Sequence, residues 1–236
     1  QKAIAKWETF TPKIGYPDKW REWSGLETSR DSYIENVLAA QEFNYKYNLG
    51  KIGKPVDKSE WGMSPQTVNA YYNPLQNEIV FPAAILQPPF FDANATDEMN
   101  YGGIGAVIGH EMSHGYDDQG ARFGPTGNFE DWWTPADASA FKSLTGKLVQ
   151  QFDAYKTDAG GQISGNLTLG ENIADLGGLA GGAGGTPESR PACAGQLPRH
   201  RCPVQPARVR SRVQMQGRRR HGACGRQAGR DLVISV

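Results

Sequence analysis

The amino-acid sequence predicts an α+β fold that is mainly helical. Apolar residues recur at helical spacing in two long segments, near residues 29–49 and 135–152. Between these segments, two short runs typical of strands flank an Asn-Pro turn, which indicates a β-hairpin. Two further helices are predicted at short motifs that contain histidine and carboxylate residues. The sequence therefore indicates one small sheet set among several helices.

The first half of the chain is predicted to hold one long helix and the hairpin. Residues 1–28 mix tryptophan, proline and glycine, which predicts irregular or short extended structure. A helix is expected at Ser29–Leu49, and a loop is expected at residues 51–65. The two strands of the hairpin are expected at Thr67–Tyr72 and Glu78–Phe81.

The second half is predicted to hold three helices. The first is expected at Asp97–Tyr116, and its glycines Gly102, Gly103, Gly105 and Gly109 indicate close packing against a neighbour, because glycine lowers intrinsic helix propensity. The second opens at Thr134-Pro135, with threonine as the N-cap and proline at the first helical position. The third is a short helix at Leu169–Ala180. The apolar stripe of the second helix is expected to be buried and consists of Phe141, Leu144, Leu148 and Phe152.

Charge divides the chain into two unlike parts. Residues 1–180 carry a net charge of −9, whereas residues 181–236 carry +9, with eleven arginines and no lysine. All three cysteines lie in the second part, and an odd number of cysteines does not indicate a disulfide framework. The acidic body does not indicate nucleic acid as a partner, and the sequence leaves the oligomeric state open. No apolar run approaches the ~20 residues that span a bilayer, and Gln1–Trp7 lacks the apolar centre of a signal peptide.

The motif His110-Glu111-Met112-Ser113-His114 predicts a metal site on a helix. Residues four apart share a helical face, so His110 and His114 can bind one ion together. Glu171, in the motif Glu171-Asn172-Ile173-Ala174-Asp175, offers a carboxylate as third ligand. Two imidazoles and one carboxylate leave the fourth zinc position open for water, which is typical of a catalytic site. The sequence thus predicts one Zn²⁺ per chain and a hydrolysis in which Glu111 takes the proton of the metal-bound water. The alternative for the first motif is a buried helix with two hydrogen-bonded histidines.

Two further assignments carry alternatives of their own. Asp175 lies one turn after Glu171 and is predicted to accept a hydrogen bond from the free ring nitrogen of one ligand histidine. It can also be read as an acidic residue near a helix N-terminus. The segment Val68–Tyr72 can supply an edge strand that holds an extended peptide, with the Asn69 amide on the substrate backbone. The alternative is an ordinary hairpin with a turn-forming asparagine.

The chain resembles the neprilysin and endothelin-converting-enzyme family of zinc endopeptidases, including its bacterial oligopeptidase members. The resemblance covers roughly residues 1–180. The segments that carry it are Val68–Pro74, Asn77–Phe91, His110–Gln119, Asp131–Thr134 and Glu171–Gly178.

The resemblance implies a partial zincin, that is, a thermolysin-like catalytic domain. It implies that His110, His114 and Glu171 bind zinc, that Glu111 is the catalytic base, and that Asp175 orients a group or donates a proton. It also implies cleavage of oligopeptides on the amino side of hydrophobic residues, in an extracytoplasmic location, either periplasmic or secreted.

By the same resemblance, Asn69 and Ala70 bind the substrate backbone. Residues 1–180 are thus expected to be the catalytic domain without the helical domain that precedes it in the family. Residues 181–236 depart from the family and are expected to be disordered or translated in a shifted frame, which the coding DNA would test. A basic tail that binds RNA or an acidic surface is the alternative. The second functional interpretation is accordingly a catalytically silent fragment that binds at most zinc or peptide.

Overall fold

The structure is a computed structural model that describes residues 1–183. The predictions for the tail at residues 181–236 lie outside the described residues, apart from the last helical turn, which reaches Ala183. The strands are β1 (Thr11–Gly15), β2 (Tyr71–Asn73) and β3 (Glu78–Pro82). The α-helices are α1 (Lys2–Glu8), α2 (Tyr33–Leu49), α3 (Asp97–Asn100), α4 (Ala106–His114), α5 (Pro135–Asp153) and α6 (Leu169–Ala183). The α+β, mainly helical fold class is confirmed.

One three-stranded sheet lies beside the helices, in the order β1-β3-β2. The central strand β3 pairs in parallel with β1 and antiparallel with β2, so the predicted hairpin is confirmed. All five residues of β3 are buried, including Glu78, whose carboxylate lies 2.7 Å from Lys13 Nζ. The apolar core combines β3 side chains with Ile85, Ile104 and Val107. The sheet thus packs against the helical segment that contains Ile104 and Val107.

The first strand of the hairpin is shorter than predicted, since it begins at Tyr71 and not at Thr67. Tyr71 pairs with Val80, so a longer ladder would place Asn69 opposite Pro82. Proline has no N–H to donate to a ladder, and β3 ends at that residue. The strand ladder between β2 and β3 therefore begins at Tyr71.

The prediction of irregular structure for residues 1–28 was wrong at its start, where α1 forms. Alanine, lysine and glutamate dominate Lys2–Glu8, and these residues favour helices. The tryptophan, proline and glycine that suggested irregular structure lie mostly after this segment. The extended structure expected there is present as β1.

The helix predicted at Asp97–Tyr116 is present but is divided. A π-helical turn at Tyr101–Gly105 separates α3 from α4, and α4 ends at His114. π-helical turns occur mostly as single turns inside α-helices and often lie at functional sites. Here the turn precedes the helix that carries both histidines.

The predicted cap of α5 is confirmed, because Thr134 Oγ1 accepts a hydrogen bond from the Asp137 backbone amide. The buried stripe on α5 was wrong: no residue of this helix is buried within the described chain, and Leu144 is 63% exposed. Helical periodicity predicts which side chains share a face, but burial requires another element over that face. Among residues 1–183, no element covers the α5 stripe enough to bury Leu144. Across the same described range, none of the helices combines the length and apolar character needed to cross a bilayer.

Candidate metal centre

Glycine contacts bring α4 and α6 together at the site. A Cβ atom added at Gly109 of α4 would lie 2.9 Å from Gly178 Cα of α6. A Cβ atom added at Gly178 would in turn clash with the Ala106 carbonyl oxygen. The two backbones therefore touch without intervening side chains, as the glycines of the helix predicted at Asp97–Tyr116 indicated. This close approach sets the carboxylates of α6 beside the imidazoles of α4.

Three predicted ligands converge with their donor atoms facing one another. The Nε2 atoms of His110 and His114 lie 3.0 Å apart. Glu171 Oε2 lies 3.3 Å from Nε2 of His110 and 3.6 Å from Nε2 of His114. These three residues form the metal-ligand cluster found among the described residues. The cluster contains the donor types that Zn²⁺ prefers, two imidazole nitrogens and one carboxylate oxygen. The residues thus fit a zinc ion and leave a coordination position that no protein donor of this cluster fills.

Each histidine ring is oriented by an aspartate next to its Nδ1 atom, while its Nε2 atom faces the ligand cluster. His110 Nδ1 lies 2.9 Å from Asp175 Oδ1, as the sequence predicted for one of the histidines. His114 Nδ1 lies 2.7 Å from Asp117 Oδ2. A ring whose Nδ1–H donates to a carboxylate keeps its Nε2 lone pair free for a metal. Both hydrogen bonds therefore favour the tautomer that a zinc ligand needs.

Asp117 is the site residue that the sequence analysis missed. It follows His114 by three residues, and this spacing was the available signal, but the chain leaves the helix between them. Asp117 Oδ1 accepts hydrogen bonds from the backbone amides of Gln119 and Gly120, at 2.9 and 2.6 Å. Its side chain is 7% exposed, whereas that of Asp175 is 60% exposed. The two aspartates thus act on equivalent ring atoms from very different surroundings.

The charges of the cluster suit a cation. Burial lowers the pKa of His110, but hydrogen bonds to Asp175 and Glu171 outweigh that effect and raise the pKa to about 9. Burial likewise lowers the pKa of His114, and hydrogen bonds to Asp117 and Glu171 raise it to about 10. Hydrogen bonds with both histidines lower the pKa of Glu171 to about 2. The carboxylates therefore place negative charge around the two rings.

Glu111 lies beside the cluster in a buried position, with 3% exposure. Burial raises the pKa of Glu111 to about 7, although the nearby histidines and a hydrogen bond from the Tyr72 backbone amide oppose this rise. A carboxylate with a pKa near neutrality can both accept and release a proton at physiological pH. The residue thus has the environment expected of a general base.

Asn69 and Ala70 line the same cleft as Glu111, His114 and Glu171, with a volume of about 240 Å³. β2 begins directly after Ala70 and lies at the edge of the sheet. A larger cavity of about 370 Å³ lies elsewhere, beside α5, and none of the predicted site residues lines it. The predicted site residues therefore gather at the smaller cleft and not at the larger cavity. Six of the seven predicted residues line this cleft or belong to the ligand cluster. The seventh, Asp175, lies next to Nδ1 of His110.

Known proteins resemble the chain over this same region. The profile of peptidase family M13 matches residues 69–182. An endothelin-converting enzyme homolog of Locusta migratoria is 45% identical over 184 residues, which are 75% of this chain and 25% of the relative. Neprilysin of Homo sapiens is 46% identical over 189 residues, which are 76% of this chain and 25% of neprilysin. The chain thus spans about a quarter of the length of these relatives.

A solved structure resembles the fold as well. The crystal structure of the zinc metalloprotease ZMP1 of Mycobacterium tuberculosis, in complex with an inhibitor, superposes with a TM-score of 0.74 at 53% sequence identity. The match covers 77% of this chain and 29% of that protein. The resemblance therefore extends from the two motifs to the backbone that holds them.

Proposed function

Because this chain belongs to peptidase family M13, we propose that it is the zinc-binding catalytic segment of a metallopeptidase that hydrolyses oligopeptides. One observation carries the proposal: three ligand donors converge next to a buried glutamate whose pKa is raised to about 7. Relatives are named as neprilysin and as an endothelin-converting enzyme homolog, which supports a peptide as the substrate. We therefore assign the cleft to peptide binding and the cluster to zinc.

Zinc, when bound by His110, His114 and Glu171, would polarise a water molecule and the scissile carbonyl group. The chain supplies the proton transfer. The carboxylate of Glu111 accepts a proton from the attacking water and passes it to the nitrogen of the leaving amine. Its burial keeps bulk water away from the carboxylate. Asp175 and Asp117 hold the two imidazole rings in the orientation required for metal binding.

The peptide is positioned by the edge of the sheet. β2 pairs with β3 on one side, and within the described residues no strand pairs with its other side. An extended peptide can add to such an edge through main-chain hydrogen bonds. Asn69 and Ala70 precede β2 and line the cleft beside Glu111, so we assign the substrate backbone to them. A preference for a hydrophobic residue on the carboxyl side of the cleaved bond rests on the family resemblance.

A second candidate is a fragment that binds zinc or peptide without turnover. The observation that favours it is the set of large apolar side chains that stay exposed on α2 and α5, including Tyr33 and Leu144. Uncovered apolar faces cost stability, and a domain's total stability is only ~5–15 kcal/mol. The two candidates share the metal site and differ only in whether the Glu111 carboxylate transfers a proton.

The first test is hydrolysis of a quenched fluorescent peptide with a hydrophobic residue after the scissile bond. The full chain would be assayed with zinc beside Glu111→Gln, which keeps the shape but removes the base. We expect the variant to lose about 100-fold or more of the activity while binding zinc like the parent. Glu35→Gln, at an exposed position of α2, is the matched control and should keep the parent rate.

The outcomes separate the candidates. Zinc binding without turnover in the parent would establish the silent fragment. Turnover that survives in Glu111→Gln would refute the assigned base. Absence of zinc binding in the folded parent would overturn the proposed enzyme and would leave the second candidate with peptide binding alone, because the ligand cluster is the assigned zinc site.

A further inference from the structure

A buried lysine from α1 lies against the end of the helix that carries both histidines. Lys6 is fully buried, with 0% exposure. Its Nζ lies 2.6 Å from the Gly115 carbonyl oxygen and 2.8 Å from the carbonyl oxygens of both Gly120 and Phe123. An ammonium group has three donor hydrogens and no acceptor, so these carbonyls use its whole hydrogen-bonding capacity. A charge buried this deeply is stable only where such partners compensate its lost hydration.

The three carbonyls belong to one segment, residues 115–123, which we call the return loop. The loop leaves α4 directly after His114, and Gly115 is the C-cap of that helix. Carbonyls at a helix C-terminus lack partners inside the helix and interact favourably with a cation. At Gly120 the loop turns back against α4 so closely that an added Cβ atom would clash with the His114 carbonyl oxygen. Lys6 thus holds the beginning, the turn and the end of the return loop.

The return loop carries Asp117, the partner of His114. One oxygen of Asp117 accepts from the ring of His114, and the other accepts from loop amides, among them that of Gly120. The carboxylate also attracts the Lys6 ammonium group electrostatically. The course of the loop therefore decides where the Asp117 carboxylate lies, and Lys6 fixes that course.

We propose that Lys6 is a positioning residue for the metal site: its ammonium group holds the return loop so that Asp117 orients His114. This inference rests on the proposed function, since it requires that His114 binds zinc. Without the ammonium group, three carbonyl oxygens at this point lose their shared donor, and the loop relaxes toward other partners. Loss of a group that orients a ligand histidine typically weakens metal binding by about 10–100-fold.

The competing interpretation is that Lys6 only anchors α1 to the body of the protein. Other contacts of α1 serve this purpose, because Asn77 Nδ2 donates to the Lys6 carbonyl oxygen and the Tyr116 hydroxyl donates to that of Ala3. If Lys6 were only an anchor of this kind, its substitution would lower the melting temperature but would not change the zinc dissociation constant. The experiment must therefore separate metal affinity from stability.

The test compares zinc affinity in the full chain and in Lys6→Met, measured by competition with a chromophoric chelator. We expect the dissociation constant for Zn²⁺ to rise about tenfold or more, with a changed visible absorption spectrum of bound Co²⁺. The matched control is Lys13→Met, which removes a second lysine of the N-terminal segment, 12% exposed, 2.7 Å from Glu78 and bonded to the Glu60 carbonyl oxygen. It should lower the melting temperature but keep the zinc dissociation constant within about twofold of the parent.

A double variant shows whether Lys6 acts through Asp117. Combined with Asp117→Asn, Lys6→Met should weaken zinc binding no further than about twofold beyond Asp117→Asn alone. Lys6→Gln keeps an amide donor near the three carbonyl oxygens, so its zinc dissociation constant should lie between those of the parent and Lys6→Met. If Lys6→Met does not fold, Lys6→Gln alone tests the inference: a raised zinc dissociation constant supports it, and a parent-like one overturns it.

Three results would overturn the inference: a parent-like dissociation constant in the Lys6 variants, an equal loss in Lys13→Met, or fully additive effects with Asp117→Asn. Failure of the folded parent to bind Zn²⁺ would instead overturn the proposed function.

Discussion

The metal-site core, formed by β3, α4 and α6, packs very differently from the outer helices α2 and α5. β3 is buried along its whole length, and α4 buries Val107, His110 and Glu111. By contrast, neither α2 nor α5 contributes a buried residue within the described part of the chain. The closest packing thus coincides with the residues that carry the chemistry. Damage to the metal-site core should therefore affect stability and metal binding together, whereas changes on the outer helices should affect neither strongly.

The largest combined effect on stability and zinc binding is expected from Gly178→Ala, at the contact between α4 and α6. The added methyl group would clash with the Ala106 carbonyl oxygen and approach the His110 backbone nitrogen at 2.8 Å. Overpacking of this kind costs typically about 1–3 kcal/mol and sometimes more, against a total domain stability of ~5–15 kcal/mol. We expect a lower midpoint of urea unfolding and a zinc affinity reduced by the separation of Glu171 from the histidines.

Gly181→Ala is the matched control on the same helix, because among residues 1–183 a Cβ atom at that position meets nothing within 4 Å. It should match or exceed the parent stability, since alanine favours helices over glycine. If Gly178→Ala unfolded like Gly181→Ala and kept full zinc affinity, the glycine contact would not position the ligands.

A smaller effect separates the two aspartates that orient the histidines. Asp117→Asn should raise the zinc dissociation constant by about 10–100-fold, because the buried carboxylate is the fixed partner of His114. Asp175→Asn should stay near or below the lower end of that range, since water can replace an exposed carboxylate on His110. Chelator competition on the two variants measures the difference directly.

Asp158→Asn, at an exposed loop position, is the control for loss of one negative charge and should bind zinc like the parent. An equal or greater loss in Asp175→Asn would show that burial of the aspartate does not set its contribution. The expected difference between Asp117 and Asp175 would then be wrong, although the assignment of the ligand cluster would not be affected.

The histidine pair of the candidate metal site and much of the fold could be predicted from local patterns. Helical spacing placed His110 and His114 on one face, and the Asn-Pro turn indicated the hairpin that the structure confirms. The cap of α5 followed from Thr134 and Pro135 alone. Each of these features depends on residues within a few positions of one another, so the local sequence is enough to predict it.

The features that were missed depend on residues far apart in the chain. Asp117 reaches His114 because the return loop turns back at Gly120, and the lysine that holds this loop lies more than a hundred residues earlier. The end of the β2 ladder depends on Pro82 of the partner strand. Burial of the α5 stripe depends on which element covers it, and periodicity carries no information about that element.

The smallest effect on stability is expected from a substitution in the apolar stripe of α5. Leu144→Gln exchanges an exposed apolar side chain for a polar one, and substitutions at exposed positions usually change stability by no more than about 0.5 kcal/mol. Ile79→Ala, at a buried position of β3, should cost about 2–5 kcal/mol by the same urea titration. Zinc affinity should be unchanged in Leu144→Gln, because no residue of the stripe belongs to the ligand cluster. A loss of stability in Leu144→Gln that approached the loss in Ile79→Ala would mean that the α5 face is covered in the folded protein. The outer helices would then belong to the core, and the contrast between the two regions would disappear.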